Sequence, residues 1–163
     1  MVLACLLTAG PAPAADSGLP SGRPKLLPPE QAFHFSARAL DAQTIEARFD
    51  VVDGYYLYRD KLRFAVESGG LSLGPAELPA GKRKKDEFFG DVETYRGALV
   101  IRLPVVNGVP GQGVLLKADS QGCADAGVCY PPTMQQVRLS LPVAGSGPGP
   151  LVDAQVPKKG LFN

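Results

Sequence analysis

An antiparallel β-sandwich is the fold class this sequence predicts, and three observations predict it. Apolar and polar residues alternate with period two in several short segments, the pattern of strands with one buried face. Glycine (19) and proline (16) are both abundant among the 163 residues, which favours frequent turns over long helices. No segment shows convincing amphipathic helical periodicity.

The strands follow in order. Leu26–Phe33 (LLPPEQAF) leads into FHFSARAL, where Phe33, Phe35, Ala37 and Ala39 share a face. In TIEARFDVV, Ile45, Ala47, Phe49 and Val51 do the same, with Glu46, Arg48 and Asp50 opposite. Asp53-Gly54 supplies a turn before the strand-rich YYLYRDKLRFAV. After the Ser68-Gly69-Gly70 break comes a short LSL strand, then the turn-prone PAELPAGKRKKDEFFGD. Gly97–Val106 (GALVIRLPVV) is an apolar, β-branched run, and NGVPGQG turns the chain into VLLKADSQG. QQVRLSLPV closes the domain, with Val137, Leu139, Leu141 and Val143 alternating. Seven or more short strands between turns are the layout of a sandwich. No internal repeat is visible.

Composition sets the outer limits. Hydrophobic content of 45% and charged content of 20% are ordinary for a globular fold. Seventeen basic and sixteen acidic residues leave a net charge of +1, which gives no support for a nucleic-acid partner. No stretch approaches the roughly 18 apolar residues of a membrane span. Residues 1–15 read as a truncated secretory signal: Val2–Leu7 is apolar, Ala12-Pro13-Ala14 fits a small-x-small cleavage site, and the basic n-region is missing. Val2-Leu3-Ala4-Cys5 also resembles a lipoprotein box, but without the hydrophobic region that should precede it. Residues 16–25 are expected to be a flexible leader, 26–143 the folded domain, and 144–163 a linker-like tail.

Export decides how the three cysteines are read. Removal of the signal takes Cys5 with it and leaves Cys123 and Cys129, which will pair in an oxidising compartment. They lie in QGCADAGVCYPP. An antibody-type domain would carry two distant cysteines bridging its sheets over a tryptophan, and this chain has no Trp. A Cys123–Cys129 bridge would close a loop of about seven residues, worth about 2–3 kcal/mol by chain entropy. A sandwich of this size has core enough without it. Ala124, Ala126 and Gly127 leave the sulfurs open to another protein's thiol, and Tyr130-Pro131-Pro132 stiffens the exit of the loop. From the residues alone three readings stand open: a redox-active pair, a passive hairpin staple, and a metal site. The metal reading has few soft ligands, with His34 distant.

The full string GCADAGVCYPP resembles the active-site loop of the N-terminal periplasmic domain of the DsbD family of thiol:disulfide interchange proteins. LPPEQAFHF, DGYYLYRDKLRF and KKDEFFGDVETYRG agree in order, so the resemblance covers roughly Leu26 to Val143. It implies an immunoglobulin-like sandwich acting as a protein-disulfide reductase. Cys129 would form the mixed disulfide and Cys123 would resolve it, with no cofactor beyond the cysteine pair. It implies a periplasmic location and an electron donor that is a thioredoxin-like domain linked to a membrane domain. The implied acceptors are periplasmic thioredoxin-like proteins: the disulfide isomerase and the thioredoxin-like protein of cytochrome c maturation. The sequence given carries the motifs of the N-terminal domain only.

The same resemblance assigns the surround. Asp86-Glu87-Phe88-Phe89-Gly90 matches a cap loop whose central aromatic, Phe88, covers the disulfide; the residues alone favour a core aromatic beside a turn. Tyr56 and Tyr58, at i and i+2 on one strand face, are placed beside the cysteines, where unaided they would read as cross-strand packing. Asp86, Glu87 and Asp125 are acids that would raise a nearby thiol's pKa, or else solvated surface. Lys82–Lys85 reads as a solvated turn, with partner steering as the other reading. The rival function is a non-enzymatic exported binding module with a structural hairpin disulfide. A copper carrier is a weaker third reading, since two Met and one His supply few ligands.

Overall fold

The computed structural model describes residues 26–67 and 69–155, so the expected signal and leader lie outside the described residues. A four-residue helix, α1 (Pro29–Ala32), opens the described chain with a proline at its start, where a missing N–H costs nothing. Then come β1 (Phe33–Ala39), β2 (Thr44–Val51) and β3 (Tyr55–Tyr58). A single 3-10 turn at Arg59–Lys61 separates β3 from β4 (Arg63–Glu67), which is followed by β5 (Ser72–Leu73). Next are β6 (Lys82–Asp86), β7 (Gly90–Tyr95), β8 (Gly97–Val106), β9 (Gly113–Ser120) and β10 (Gly122–Ala124). The last three are β11 (Val128–Cys129), β12 (Thr133–Ser140) and β13 (Val152–Asp153). Among the described residues no helix is long and apolar enough to cross a membrane.

One sheet has the order β13-β1-β2-β8-β5. Two others, β12-β9-β4 and β11-β10-β3-β7-β6, read as the two ends of one kinked layer. Three strand paths pass through both: β4 continues β3, β10 continues β9, and β12 continues β11. The kink falls where Arg59–Lys61 makes its turn and where Pro131-Pro132, having no N–H, interrupts the ladder. The alternation expected for β2 is seen as strict partial and full burial along its length. Phe35, Ile45, Phe49, Leu57, Ile101, Leu103, Leu116 and Val137 meet in one core drawn from both layers.

Three details differ from the sequence-based expectation. Lys82–Asp86 is a strand, not a turn: it forms the outer edge beside β7, register Lys82↔Thr94 to Asp86↔Gly90. A run of cations has no apolar alternation to betray it, yet lysines suit an edge because they discourage pairing with another chain. The tail expected to be linker-like contributes β13, which adds to β1 with register Ser36↔Asp153 and Ala37↔Val152. Val143 is not part of the alternating face; β12 ends at Ser140 and Val143 is 58% exposed. The strand-rich YYLYRDKLRFAV is resolved into β3 and β4, separated where Arg59–Lys61 coils.

Candidate active site

The cysteines face each other across a hairpin. β10 and β11 pair antiparallel with Cys123 opposite Cys129 and Ala124 opposite Val128, leaving Asp125-Ala126-Gly127 as the turn. Gly127 adopts φ +83° and its N–H donates to the Ala124 carbonyl at 3.0 Å. A three-residue hairpin loop needs a left-handed residue at that place, and glycine takes it without strain. The sulfurs are bonded at 2.05 Å, with the Cα atoms 4.0 Å apart.

The hairpin lies on β3, with Cys123 opposite Tyr56 and Gly122 opposite Leu57. The approach is close because position 122 has no side chain: a Cβ there would lie 2.3 Å from the Tyr56 carbonyl and 2.5 Å from the Phe33 ring. β3 is buried on both faces. Tyr55 and Leu57 enter the main core, whereas Tyr56 and Tyr58 form a second cluster with Cys123, against which Val92 and Cys129 pack. Cys123 is fully buried, and Cys129, on the edge strand of its sheet, is half-buried beside the exposed Val128.

A polar relay runs beneath the sulfurs. The Tyr58 hydroxyl lies 3.1 Å from Cys123 Sγ and 3.9 Å from Cys129 Sγ. It also donates to Asp86 Oδ2 at 2.9 Å, and Tyr56 donates to the same oxygen at 3.2 Å. An ionised carboxylate only accepts, so the single Tyr58 proton is committed to Asp86 and its lone pairs face the sulfurs. Burial, reinforced by Tyr56 and Asp86, pushes the Tyr58 hydroxyl far above the ordinary phenol range, so it stays protonated. Burial pushes the Asp86 carboxyl up, but the Phe88 N–H, the two tyrosine hydroxyls and the Phe89 N–H outweigh it and hold it below the usual range. Lys84 Nζ stands 3.6 Å from Asp86 Oδ2 and 3.8 Å over the Tyr56 ring.

Asp86 also shapes the cap loop. Its Oδ1 accepts the N–H groups of Phe88 at 2.9 Å and Phe89 at 3.3 Å, a local turn of the kind Asp favours. Gly90, at φ +71°, then returns the chain into β7. Phe88, the residue expected to cover the disulfide, is 62% exposed. Beside it the Phe89 ring stands edge-on to Tyr58 at 5.0 Å, with Lys61 Nζ 4.5 Å from its centre. Adjacent residues at a turn point in different directions, and the doubled Phe hid which one faces inward. Glu87 is exposed.

Asp125 has a different role from the one expected of a bare acid near thiols. Its carboxylate accepts from Arg96 Nη2 at 2.6 Å and Nη1 at 3.0 Å. The Arg96 hydrogen bond holds the Asp125 carboxyl below the usual range despite partial burial. Tyr130 fixes the exit of the loop: its N–H donates to Gly122, its hydroxyl to the Leu27 carbonyl at 2.7 Å, and its ring meets Phe33 at 5.7 Å. Arg96 and Lys61 were missed from sequence, and Lys84 was read only as part of the Lys82–Lys85 run. The only available signal was a lone arginine just before the long β-branched run, with a lone aspartate between the cysteines. His34 lies 3.5 Å from Asp153 in the other layer, away from the cysteines. Among the described residues no three His, Cys, Asp or Glu side chains form a group able to hold a metal ion.

Comparison with known proteins bears on this arrangement. The family model for the N-terminal region of the thiol:disulfide interchange protein DsbD matches residues 23–141. DsbD of Ralstonia nicotianae is 43% identical over 149 residues, 91% of this chain and 23% of that protein. DsbD of Escherichia coli is 38% identical over 125 residues, 77% of this chain and 21% of that one. The chain thus spans about a quarter of the length of these relatives. The DsbD N-terminal domain of Neisseria meningitidis in its reduced form superposes with a TM-score of 0.65 at 33% identity, covering 80% of this chain and 96% of that one. The same domain in complex with the PilB N-terminal domain gives 0.56 at 35% identity, covering 77% and 93%. An antiparallel sandwich of immunoglobulin-like form, a matched family model and relatives near 40% identity converge: this chain belongs to the DsbD N-terminal domain family.

Proposed function

We propose that the domain performs thiol:disulfide exchange, reducing disulfides of periplasmic proteins through Cys123 and Cys129. The observation that carries the reading is the asymmetry of the pair, one sulfur buried against Tyr58 and the other half-open on an edge strand. An incoming disulfide needs an open line of attack, and Cys129 offers it. In the reduced domain the Cys129 thiolate attacks one partner sulfur; the partner's S–S bond breaks and its second sulfur leaves as a thiolate that takes up a proton. The Cys123 thiol then gives up its proton and attacks Cys129 Sγ. The bond to the partner breaks, the Cys123–Cys129 bond forms, and two electrons have passed to the partner. The thiols themselves are the carriers, so the scheme uses no small-molecule cofactor.

The surround tunes this chemistry. With its lone pairs toward the sulfur, Tyr58 accepts a hydrogen bond from a Cys123 thiol but offers nothing to a thiolate. The nearby Asp86 charge opposes a thiolate too, raising the thiol pKa. A reduced pair so disposed is slow toward stray oxidants and waits for a docked partner. The exposed Phe88 and Phe89 of the cap loop and Val128 beside Cys129 offer apolar surface for that partner. By analogy with the family, the partners are thioredoxin-like proteins, the disulfide isomerase and the cytochrome c maturation protein among them. The donor is a thioredoxin-like domain attached to a membrane domain.

A redox titration of the domain, with alkylation and mass spectrometry reporting the Cys123–Cys129 bond, tests the reading. A midpoint between about −180 and −270 mV is expected, the range of dithiols that exchange with one another. A midpoint below about −300 mV marks a structural staple and overturns the proposal.

A further inference from the structure

We propose that Arg96 is a positioning residue for the redox pair, clamping the turn between the two cysteines so that Cys123 stays within reach of Cys129 when the disulfide is open. The inference rests on the exchange reading above. Arg96 sits between β7 and β8, just before Gly97, whose φ of +63° bends the chain there. Its guanidinium is held on three sides. Nη1 donates to the Tyr55 carbonyl at 3.0 Å, both Nη atoms donate to Asp125, and Cζ lies 5.0 Å from the centre of the Tyr56 ring. A planar fork matched to a carboxylate fixes direction as well as distance. The Asp125 N–H also donates to the Gly54 carbonyl at 2.7 Å. The apex of the turn is therefore fastened by side chain and backbone to the start of β3.

The fastening matters because the two cysteines are unequally supported. β10, with Cys123, is paired on both sides, to β3 and to β11. β11, with Cys129, has only two residues and pairs with β10 alone. In a mixed disulfide the covalent link between the strands is gone. The short ladder, the Tyr130 anchors and the clamped turn then set the local concentration of Cys123 at Cys129 Sγ. As a surface ion pair with both side chains about half exposed, Arg96–Asp125 adds little to global stability. Its effect falls on the balance between open and closed forms of the pair.

The balanced step is the one given above: the Cys123 thiolate attacks Cys129 Sγ, the bond from Cys129 to the foreign sulfur breaks, and that sulfur leaves as a thiolate and is protonated. Loosening the turn disfavours this closure. For Arg96→Met and for Asp125→Asn we expect the equilibrium constant for oxidation of the pair by oxidised glutathione to fall about 3- to 10-fold. At 29.6 mV per tenfold for two electrons, that makes the midpoint less negative by about 14–30 mV. More of the glutathione adduct should also be trapped on Cys129.

Both variants are needed because they alter charge oppositely. Arg96→Met leaves an unpaired anion near the thiols, and Asp125→Asn leaves an unpaired cation. A clamp predicts shifts in the same direction, with the double variant no worse than the stronger single one. Shifts of opposite sign mean a purely electrostatic effect and overturn the proposal. So do constants within twofold of the parent protein accompanied by equal losses of melting temperature in the oxidised and reduced forms, the mark of a structural role alone. Should Arg96→Met fail to fold, Asp125→Asn against the parent still decides, because a constant within twofold of the parent removes the clamp. If the parent bond itself does not exchange with glutathione, the functional reading fails and the clamp falls with it. A parent that exchanges with variants that match it removes only Arg96.

Discussion

At the scale of single residues, Asp86 links the cap to the sulfurs. One oxygen takes the two tyrosine hydroxyls and the other takes two cap N–H groups. Replacing it by Asn keeps the shape and removes the charge. In the reduced domain the thiols should then ionise more easily, and alkylation by iodoacetamide at neutral pH should quicken roughly 3- to 10-fold, since one pKa unit is tenfold in thiolate. A rate–pH profile superimposable on the parent's would mean that the Asp86 charge does not reach the sulfurs. The same carboxylate makes stability depend on acid. Its folded pKa lies below the ordinary value, so the stability it contributes is fully present above about pH 4 and is lost as pH falls through the lowered folded value. Asp50, held down by its hydrogen bond to Arg48, and Asp125, held down by Arg96, act in the same direction. Denaturant midpoints measured from pH 5 downward should therefore fall, and fall less steeply in Asp86→Asn.

At the scale of elements, the site is a hairpin laid on a strand, and Gly122 sets the spacing between them. The atom that a Cβ would strike at 2.3 Å is the Tyr56 carbonyl, backbone already fixed in the ladder, which cannot swing aside as a flexible side chain would. Gly122→Ala should push β10 off β3 and cost at least about 2 kcal/mol, read as a lower denaturant midpoint. A midpoint equal to the parent's would show that the two strands separate without penalty. Some of this was legible in sequence. The alternation of Tyr55, Tyr56, Leu57 and Tyr58 tells that two tyrosines share a face, and the structure puts that face against Cys123. The strand at Lys82–Asp86 was not legible, because it is held by pairing with β7 and not by any pattern of its own. Nor was the inward-facing cap aromatic, since two adjacent phenylalanines carry no information about which way a turn will aim them.

At the scale of the whole molecule, the strands that build the sandwich and the hairpin that carries the cysteines are joined but separable in their effects. The sandwich was legible because each of its long strands repeats a local pattern. The closing contact, β13, was not, since two residues in a Gly/Pro-rich tail show no alternation and gain their order from the strands they meet. Beyond the β1 pairing, Ala154 N–H donates to Phe35, Gly149 N–H to Ala39, and Gln155 exchanges both bonds with Gln136 on β12. The tail thus ties the edge of one sheet to a strand of the other. These bonds contribute on the order of 1 kcal/mol each, set against the entropy of ordering the segment. Truncation after Pro148 should lower the melting temperature by about 3–8 °C, the equivalent of 1–2 kcal/mol in a domain this size. It should leave the midpoint potential of the pair unchanged, because β13 pairs with β1 and its neighbour Gln155 bridges to β12, whereas β10 and β11 are paired with each other and with β3. A truncated domain with a shifted potential would show that the fold transmits strain from the far sheet to the cysteines. An unshifted potential with a lower melting temperature assigns β13 to the sandwich and leaves the redox chemistry to the hairpin, its tyrosine–aspartate support and its clamp.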